Sequence, residues 1–227
     1  MGKLYSTVEN LRTEYREIFM KCAEEIQKKI EDKRPQGVEG DICQNFPDGS
    51  DGKRWQSEVL DMLENDVSKE VYRKFRELLA YRNTFNCVGC ATCCNLACSE
   101  FSPEELKRRA ENGDNFAKQF TSIFIPYESK EDARKIYPEY IQMLEENKED
   151  EVYFYHCPKL TKDNKCSDYE NRPQICRYFP DNPLSILPVS CGYKKWKDEV
   201  EPVTLMLHSM IEIVQYYKEN ICKYYQD

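Results

Sequence analysis

Twelve consecutive residues constrain this chain more than any other stretch: Cys87-Val88-Gly89-Cys90-Ala91-Thr92-Cys93-Cys94-Asn95-Leu96-Ala97-Cys98. Five of the chain's twelve cysteines lie here, and four of them repeat as Cys-x-x-Cys-x-x-Cys-Cys. Two-residue gaps let a short loop wrap around a point and aim successive sulfurs at it, the spacing of zinc knuckles and iron–sulfur loops. Four thiolates held this close repel one another unless a cation sits among them; a metal removes the repulsion and deprotonates the thiols. Disulfides fit poorly, because adjacent Cys93 and Cys94 do not reach ordinary disulfide geometry with each other. The spacing predicts a metal or cluster site.

A second, looser set follows: Cys157, Cys166, Cys176 and Cys191, in Pro-rich chain with Arg172 and Arg177 bracketing Cys176. Irregular backbone leaves N–H groups free to hydrogen-bond to thiolates or cluster sulfides. The two arginines have the charge to offset a net-negative thiolate site or to hold an anionic cofactor or substrate group; pairing with the surrounding acids is the bland alternative. Tyr169, Tyr178 and Phe179 either shield the site or pack in an ordinary core. His156 precedes Cys157 directly and is a candidate ligand or hydrogen-bond donor, whereas His208 falls in an apolar helical pattern and reads as structural. Cys22 lies on an apolar helical stripe, so a buried thiol is expected there. Cys43 stands alone in a loop and reads as a free thiol, an extra ligand being the minor option.

The balance of charge argues against some partners. A third of the residues are charged, the net charge is -8, and the pI is near 5.1 with a mean hydropathy of -0.80. Neither nucleic acid nor an anionic membrane is expected as a partner. No apolar run approaches the ~20 residues of a membrane span, and Met1–Thr7 contain no apolar segment like a signal peptide. A cytoplasmic protein is the expectation, and in a reducing compartment cysteines read as metal ligands before disulfides. The Met-Gly-x-x-x-Ser start also fits the short N-myristoylation pattern.

Periodicity predicts a mainly α chain with a small irregular cysteine-rich metal core and at most one short β-hairpin. Leu4, Val8, Leu11, Tyr15, Ile18, Cys22, Ile26 and Ile30 step by three or four and predict a helix over 3–33. This surface is a candidate site for a protein or peptide partner, or packs on its own domain. Residues 35–54 hold half of the eight glycines and read as a turn-rich, mobile loop. Helix resumes over 55–82. Ser102-Pro103-Glu104-Glu105 opens another helix, Gly113-Asp114 breaks it, and 115–122 is a further short one. Residues 123–127 are extended. A helix over 129–147 is interrupted at Pro138, 151–155 form a strand, and Tyr153–Ser167 make a hairpin carrying Cys157 and Cys166. Residues 172–188 are irregular, and a last helix runs over 190–225 with Pro202 starting or kinking it. The predicted organisation is an N-terminal helical segment (1–83), a cysteine-cluster metal-binding domain (84–195) and a C-terminal helix (196–227) packing on the same domain.

Taken together, Cys87, Cys90, Cys93, Cys94, Cys157, Cys166, Tyr169, Arg172, Pro173, Cys176, Arg177 and Cys191 carry a resemblance. Over 84–195 the chain resembles the CxxCxxCC family of YkgJ-type cysteine-cluster proteins, a domain assigned zinc or iron chelation. The resemblance implies metal ligation by Cys87, Cys90, Cys93, Cys94, Cys157, Cys166, Cys176 and Cys191, with Tyr169, Arg172 and Arg177 beside the cofactor. Two departures stand out. Family members often have Gly directly after the second cysteine, where this chain has Ala91, and Cys98 is a ninth thiol. Flagellin lysine N-methylases, which use S-adenosylmethionine, carry a similar cysteine domain, so the resemblance makes methyl transfer possible.

Eight thiols suit two four-coordinate sites, filled by two [4Fe–4S] clusters, one cluster and a zinc, or two zincs. Cys87-x-x-Cys90-x-x-Cys93 matches three ligands of bacterial ferredoxin spacing, and Cys157 is followed by Pro as the distant fourth ligand there often is. Zinc sites more often use separated pairs or include His. Thiol softness and spacing therefore favour iron–sulfur over zinc. Nucleotide, phosphate-loop, serine-hydrolase and zincin motifs are all missing. Three functions remain: redox or cluster-based catalysis, S-adenosylmethionine-dependent modification included; a structural zinc-binding interaction domain; and a redox or metal sensor.

Overall fold

The punctuation in the sequence becomes the capping of the helices. Ser102 accepts a hydrogen bond from the Glu105 amide at 3.2 Å, with Pro103 in the first turn. Asp114 does the same for the Ala117 amide at 3.1 Å, and Ser50 for Lys53 at 3.2 Å. Each side chain satisfies one of the amides that a helix start leaves without a partner.

The computed structural model describes residues 8–146 and 152–224; the first residues of the expected opening helix, the myristoylation pattern and Glu151 lie outside them. Within those bounds the chain is mainly helical. Its elements are α1 (Val8–Glu31), α2 (Asp51–Met62), a π-helical stretch (Leu63–Ser68), α3 (Lys69–Arg82), α4 (Thr92–Asn95), β1 (Ala97–Ser99), α5 (Pro103–Glu111), α6 (Asn115–Ile123), β2 (Ile125–Pro126), α7 (Lys130–Arg134), α8 (Pro138–Glu146), β3 (Tyr153–His156), α9 (Gln174–Tyr178) and α10 (Lys194–Cys222). Cα proximity divides them into two compact units, Phe85–Lys197 and residues 8–84 with 198–224.

The helical unit closes around one apolar core. Cys22, Ile26 and Ile30 from α1 are buried with Trp55, Val59, Met62, Leu63, Val67 and Val71, and with Leu207, Ile213, Val214 and Ile221 of α10. Cys22 is thus the buried thiol that the stripe predicts. The stretch expected to be a mobile loop over 35–54 is packed, and from Asp51 it already belongs to α2. Ile42 is buried in the core, and the Gln56 amide donates to the Ile42 and Gln44 carbonyls at 2.7 Å each. Cys43 packs half-buried against the core, and His208 sits edge-on to Phe75 with ring centroids 5.3 Å apart.

In the other unit the small β element is a three-stranded antiparallel sheet of order β1-β3-β2, where local signals show at most a hairpin. Its register pairs Ala97 with Tyr155, Cys98 with Phe154 and Ser99 with Tyr153 on one side, and Ile125 with His156 on the other. Strand residues alternate between faces. Phe154 and Leu96 therefore enter a core with Ala133, Tyr137, Ile141 and Leu144 of the α7–α8 segment. Tyr155 enters one with Leu106, Ala117 and Phe120 of α5 and α6. The expected turn around Asp163–Lys165 is present, closed by an isolated bridge between Leu160 and Cys166 and a bond from the Thr161 amide to the Lys165 carbonyl at 2.8 Å.

Candidate metal centre

The cysteine loop turns where two residues adopt left-handed backbone, Gly89 at φ 71° and Ala91 at φ 63°. Glycine enters this region freely and a residue with a Cβ does so at a cost. After Ala91 the chain folds into α4: the Cys94 and Asn95 amides both bond the Ala91 carbonyl, at 3.0 and 2.8 Å. Cys93 and Cys94 thus leave one helical turn in different directions.

The sheet carries the loop to the second set of thiols. Beyond the end of the β1–β3 ladder, the Cys157 amide donates to the Cys94 carbonyl at 2.7 Å. Cys166 reaches the same neighbourhood on the hairpin. Cys176 arrives on α9, a short helix in the stretch expected to be irregular. That helix is tied to α6 by Ile175, which packs with the Phe120 core and whose amide faces Gln119 Oε1 at 3.4 Å. Cys191 comes from the other direction. A Cβ on Gly192 would lie 2.1 Å from the Asn86 carbonyl oxygen and 2.9 Å from Val88 Cγ1, so only a glycine lets this segment lie against the residues flanking Cys87.

Electrostatics divide the eight thiols in two. Cys191 is pushed up by burial, and further by Cys90 and Cys87. Cys93 is driven above the ordinary thiol range by its hydrogen bond to Cys94, then by burial and the nearby Cys94, Cys87 and Cys90. Cys94, receiving that bond, falls to about 7, with Arg172 pulling the same way. Cys176 is pushed up to about 11 by burial, then by Cys157, Cys94 and Cys166, while Arg172 opposes the shift. Cys157 is raised by burial and by Cys94 and Cys166. One neighbourhood is Cys87, Cys90, Cys93 and Cys191; the other is Cys94, Cys157, Cys166 and Cys176. The adjacent pair Cys93–Cys94 joins the two, its hydrogen bond being the largest influence on either thiol. As they stand, no three or more His, Cys, Asp or Glu side chains among the described residues are arranged to hold a metal ion: these are two neighbourhoods of sulfur, not two closed shells.

Backbone amides serve three of the thiols in one way. Gly89 N–H points to Cys87 Sγ at 3.4 Å, and the amides of Lys159 and Tyr193 bond Cys157 and Cys191. Each amide is two residues beyond its sulfur. An amide bonded to a sulfur stabilises the charged form. The donor set thus fits a thiophilic ion: sulfur predominates, the amides are placed for thiolates, and no carboxylate is among the leading influences on these groups.

The remaining candidates are placed as follows. Arg172 stacks over the Tyr169 ring at 3.6 Å and donates from Nε to the Tyr169 carbonyl at 3.1 Å. Arg177 donates to the Arg172 carbonyl at 2.7 Å and the Glu170 carbonyl at 2.5 Å, clamping the loop that holds Arg172. His156 lies beside Tyr127, ring centroids 5.0 Å apart. Cys98 faces the α8 side of the sheet, its Sγ 3.5 Å from the Tyr140 hydroxyl.

A family model described as "CxxCxxCC: Putative zinc- or iron-chelating domain" matches residues 86–200, just over half of the chain. The chain belongs to the CxxCxxCC family. Its metal-binding character follows from that membership and agrees with the sulfur-rich donor set. No curated protein and no solved structure matches the chain. Within this CxxCxxCC protein the matched span coincides with the sheet unit, so all eight thiols lie inside it. No helix among the described residues is long and apolar enough to cross a membrane.

Proposed function

We propose that this CxxCxxCC protein carries two four-thiolate sites, Cys87–Cys90–Cys93–Cys191 and Cys94–Cys157–Cys166–Cys176, holding [4Fe–4S] clusters for redox or cluster-based chemistry. The observation that carries the reading is the backbone that sets Cys157 against Cys94 and the Cys191 segment against the residues flanking Cys87, with crowded thiols at both places. Holding four thiols this close without a cation costs free energy that a bound metal recovers. Iron–sulfur is preferred over zinc because the sulfurs come from a Cys-x-x-Cys-x-x-Cys run with distant partners and are met by amides rather than imidazoles. Such clusters, when bound, supply one-electron transfer or a Lewis-acid iron. The chain's own part is to fix the sulfurs, to bond them with the Gly89, Lys159 and Tyr193 amides, and to set the Arg172 charge beside Cys94 and Cys176.

The test is anaerobic purification followed by metal, sulfide and absorption analysis. Two clusters give about eight iron and eight acid-labile sulfides per chain, with broad visible charge-transfer absorption. Cys90→Ala and Cys176→Ala should each remove about half of the iron. A colourless protein with two zinc ions would keep the two sites and overturn the cluster assignment. Loss of all metal from either variant, with the fold retained, would overturn the grouping.

A further inference from the structure

Resting on the two-site reading, the two groups of thiols are built unequally. Of the eight thiols Cys87 is the exposed one; the other seven are half-buried. Its neighbours Asn86, Val88 and Gly89 are exposed as well, and Val88 is 64% exposed. The segment is met by the Gly89 amide on Cys87 Sγ and by the close approach of Gly192 to Asn86. In the second group each thiol is tied by a backbone bond or a packed neighbour. Cys94 and Cys157 are joined by a 2.7 Å backbone bond at the end of the sheet, Cys166 by its bridge to Leu160, and Cys176 by a helix whose Ile175 is packed into a core.

Fixed positive charge stands beside the second group. Four thiolates around a dipositive core leave a net charge of about -2. Near the second group stand Arg172, locked over Tyr169 with its loop clamped by Arg177, and Lys159, which is paired with Asp168. A group that shows one ligand to water gives up that ligand more readily.

We infer that the two sites divide the labour: the Cys94–Cys157–Cys166–Cys176 site is the permanent one, and the Cys87–Cys90–Cys93–Cys191 site is exchangeable, with Cys87 as the ligand that lets go. The exchangeable site is where an incoming thiolate, amine or carboxylate ligand, or a metal acceptor, gains access. Arg172 is a positioning residue for the permanent site, acting through its charge.

The experiment is metal release from the anaerobically purified full chain to a metallochromic iron chelator in excess. Half of the iron should leave quickly and half at least about tenfold more slowly. Cys87→Ser should abolish the fast half and leave the slow half at its wild-type rate. Arg172→Gln should speed the slow half roughly tenfold, the low end of what an outer-shell partner contributes to metal affinity. Arg172→Lys, which keeps the charge without the planar stack, should stay close to wild type. Release of all the iron in one phase would overturn the inference while leaving two sites intact. So would Arg172→Lys behaving as Arg172→Gln, for then the arginine acts by shape alone. A chain that binds only four iron in total would instead overturn the two-site reading on which the inference rests.

Discussion

At the scale of single residues, two positions report how the metal loop is shaped. Ala91 holds a φ of 63° that suits glycine. A Cβ in that region costs about 1–2 kcal/mol, and glycine returns about 0.5–1 kcal/mol through its freer unfolded chain. Ala91→Gly should therefore stabilise the protein by about 0.5–1 kcal/mol, measured by urea unfolding of the metal-loaded form; a loss of stability would show that Ala91 is not strained. Gly192 is the opposite case. A Cβ there would overlap the Asn86 carbonyl, so Gly192→Ala must push the Cys191 segment off the Cys87 segment. It should cut metal content by about half and destabilise the fold by about 1–3 kcal/mol, the range for forced overpacking. Full metal retention in this variant would remove Cys191 from the site. Cys98 could not be assigned by counting thiols; its strand register pairs it with Phe154, on the sheet face that carries Tyr140 and the α7–α8 core.

At the scale of elements, α10 carries a pH-dependent liability. Burial pushes the Glu201 carboxyl up from 4.5 to about 7. Folded Glu201 thus holds a proton that the unfolded chain has released. Its contribution to stability is present below about 4.5 and is lost as pH rises through about 7. Glu201→Gln should flatten the stability profile between those values and raise the melting temperature at pH 8. An unchanged profile would show that the carboxyl is solvated. The short elements show why periodicity has a lower limit. The helix α9 spans five residues between Pro173 and Phe179, too few to display a 3.6-residue period. The strand β1 spans three residues inside the cysteine stretch, and its partner lies more than fifty positions away. The longer helices and their stops at Glu111, Gly113 and Pro138 were legible because caps, proline and glycine act locally.

At the scale of the whole molecule, the two units draw on different sources of stability. The core of Ile26, Trp55, Leu63 and Leu207 is apolar and includes a thiol, Cys22, only as a small buried side chain. The cores of the sheet unit are smaller, and the eight clustered thiols sit among irregular segments. Chelation of the metal should therefore raise amide exchange across 86–95, 157–167 and 174–192 while leaving α1 and α2 protected, as read by hydrogen-exchange mass spectrometry. Equal loss of protection in both units would show that the metal holds the whole chain together.

The sequence by itself determined the metal-binding character and the helical class, and it named eight candidate thiols, because short Cys-x-x-Cys gaps and capping residues are local properties. Which thiols share a neighbourhood was decided only by the tertiary structure. Gaps of nine, ten and fifteen residues between cysteines carry no direction. It takes a β-ladder to set Cys157 against Cys94, and a glycine without a side chain to set Cys191 against Cys87. In the proposed grouping adjacent Cys93 and Cys94 part for the same reason: neighbours in sequence leave a helical turn about 100° apart, and what each one meets is set by chain that returns from far away.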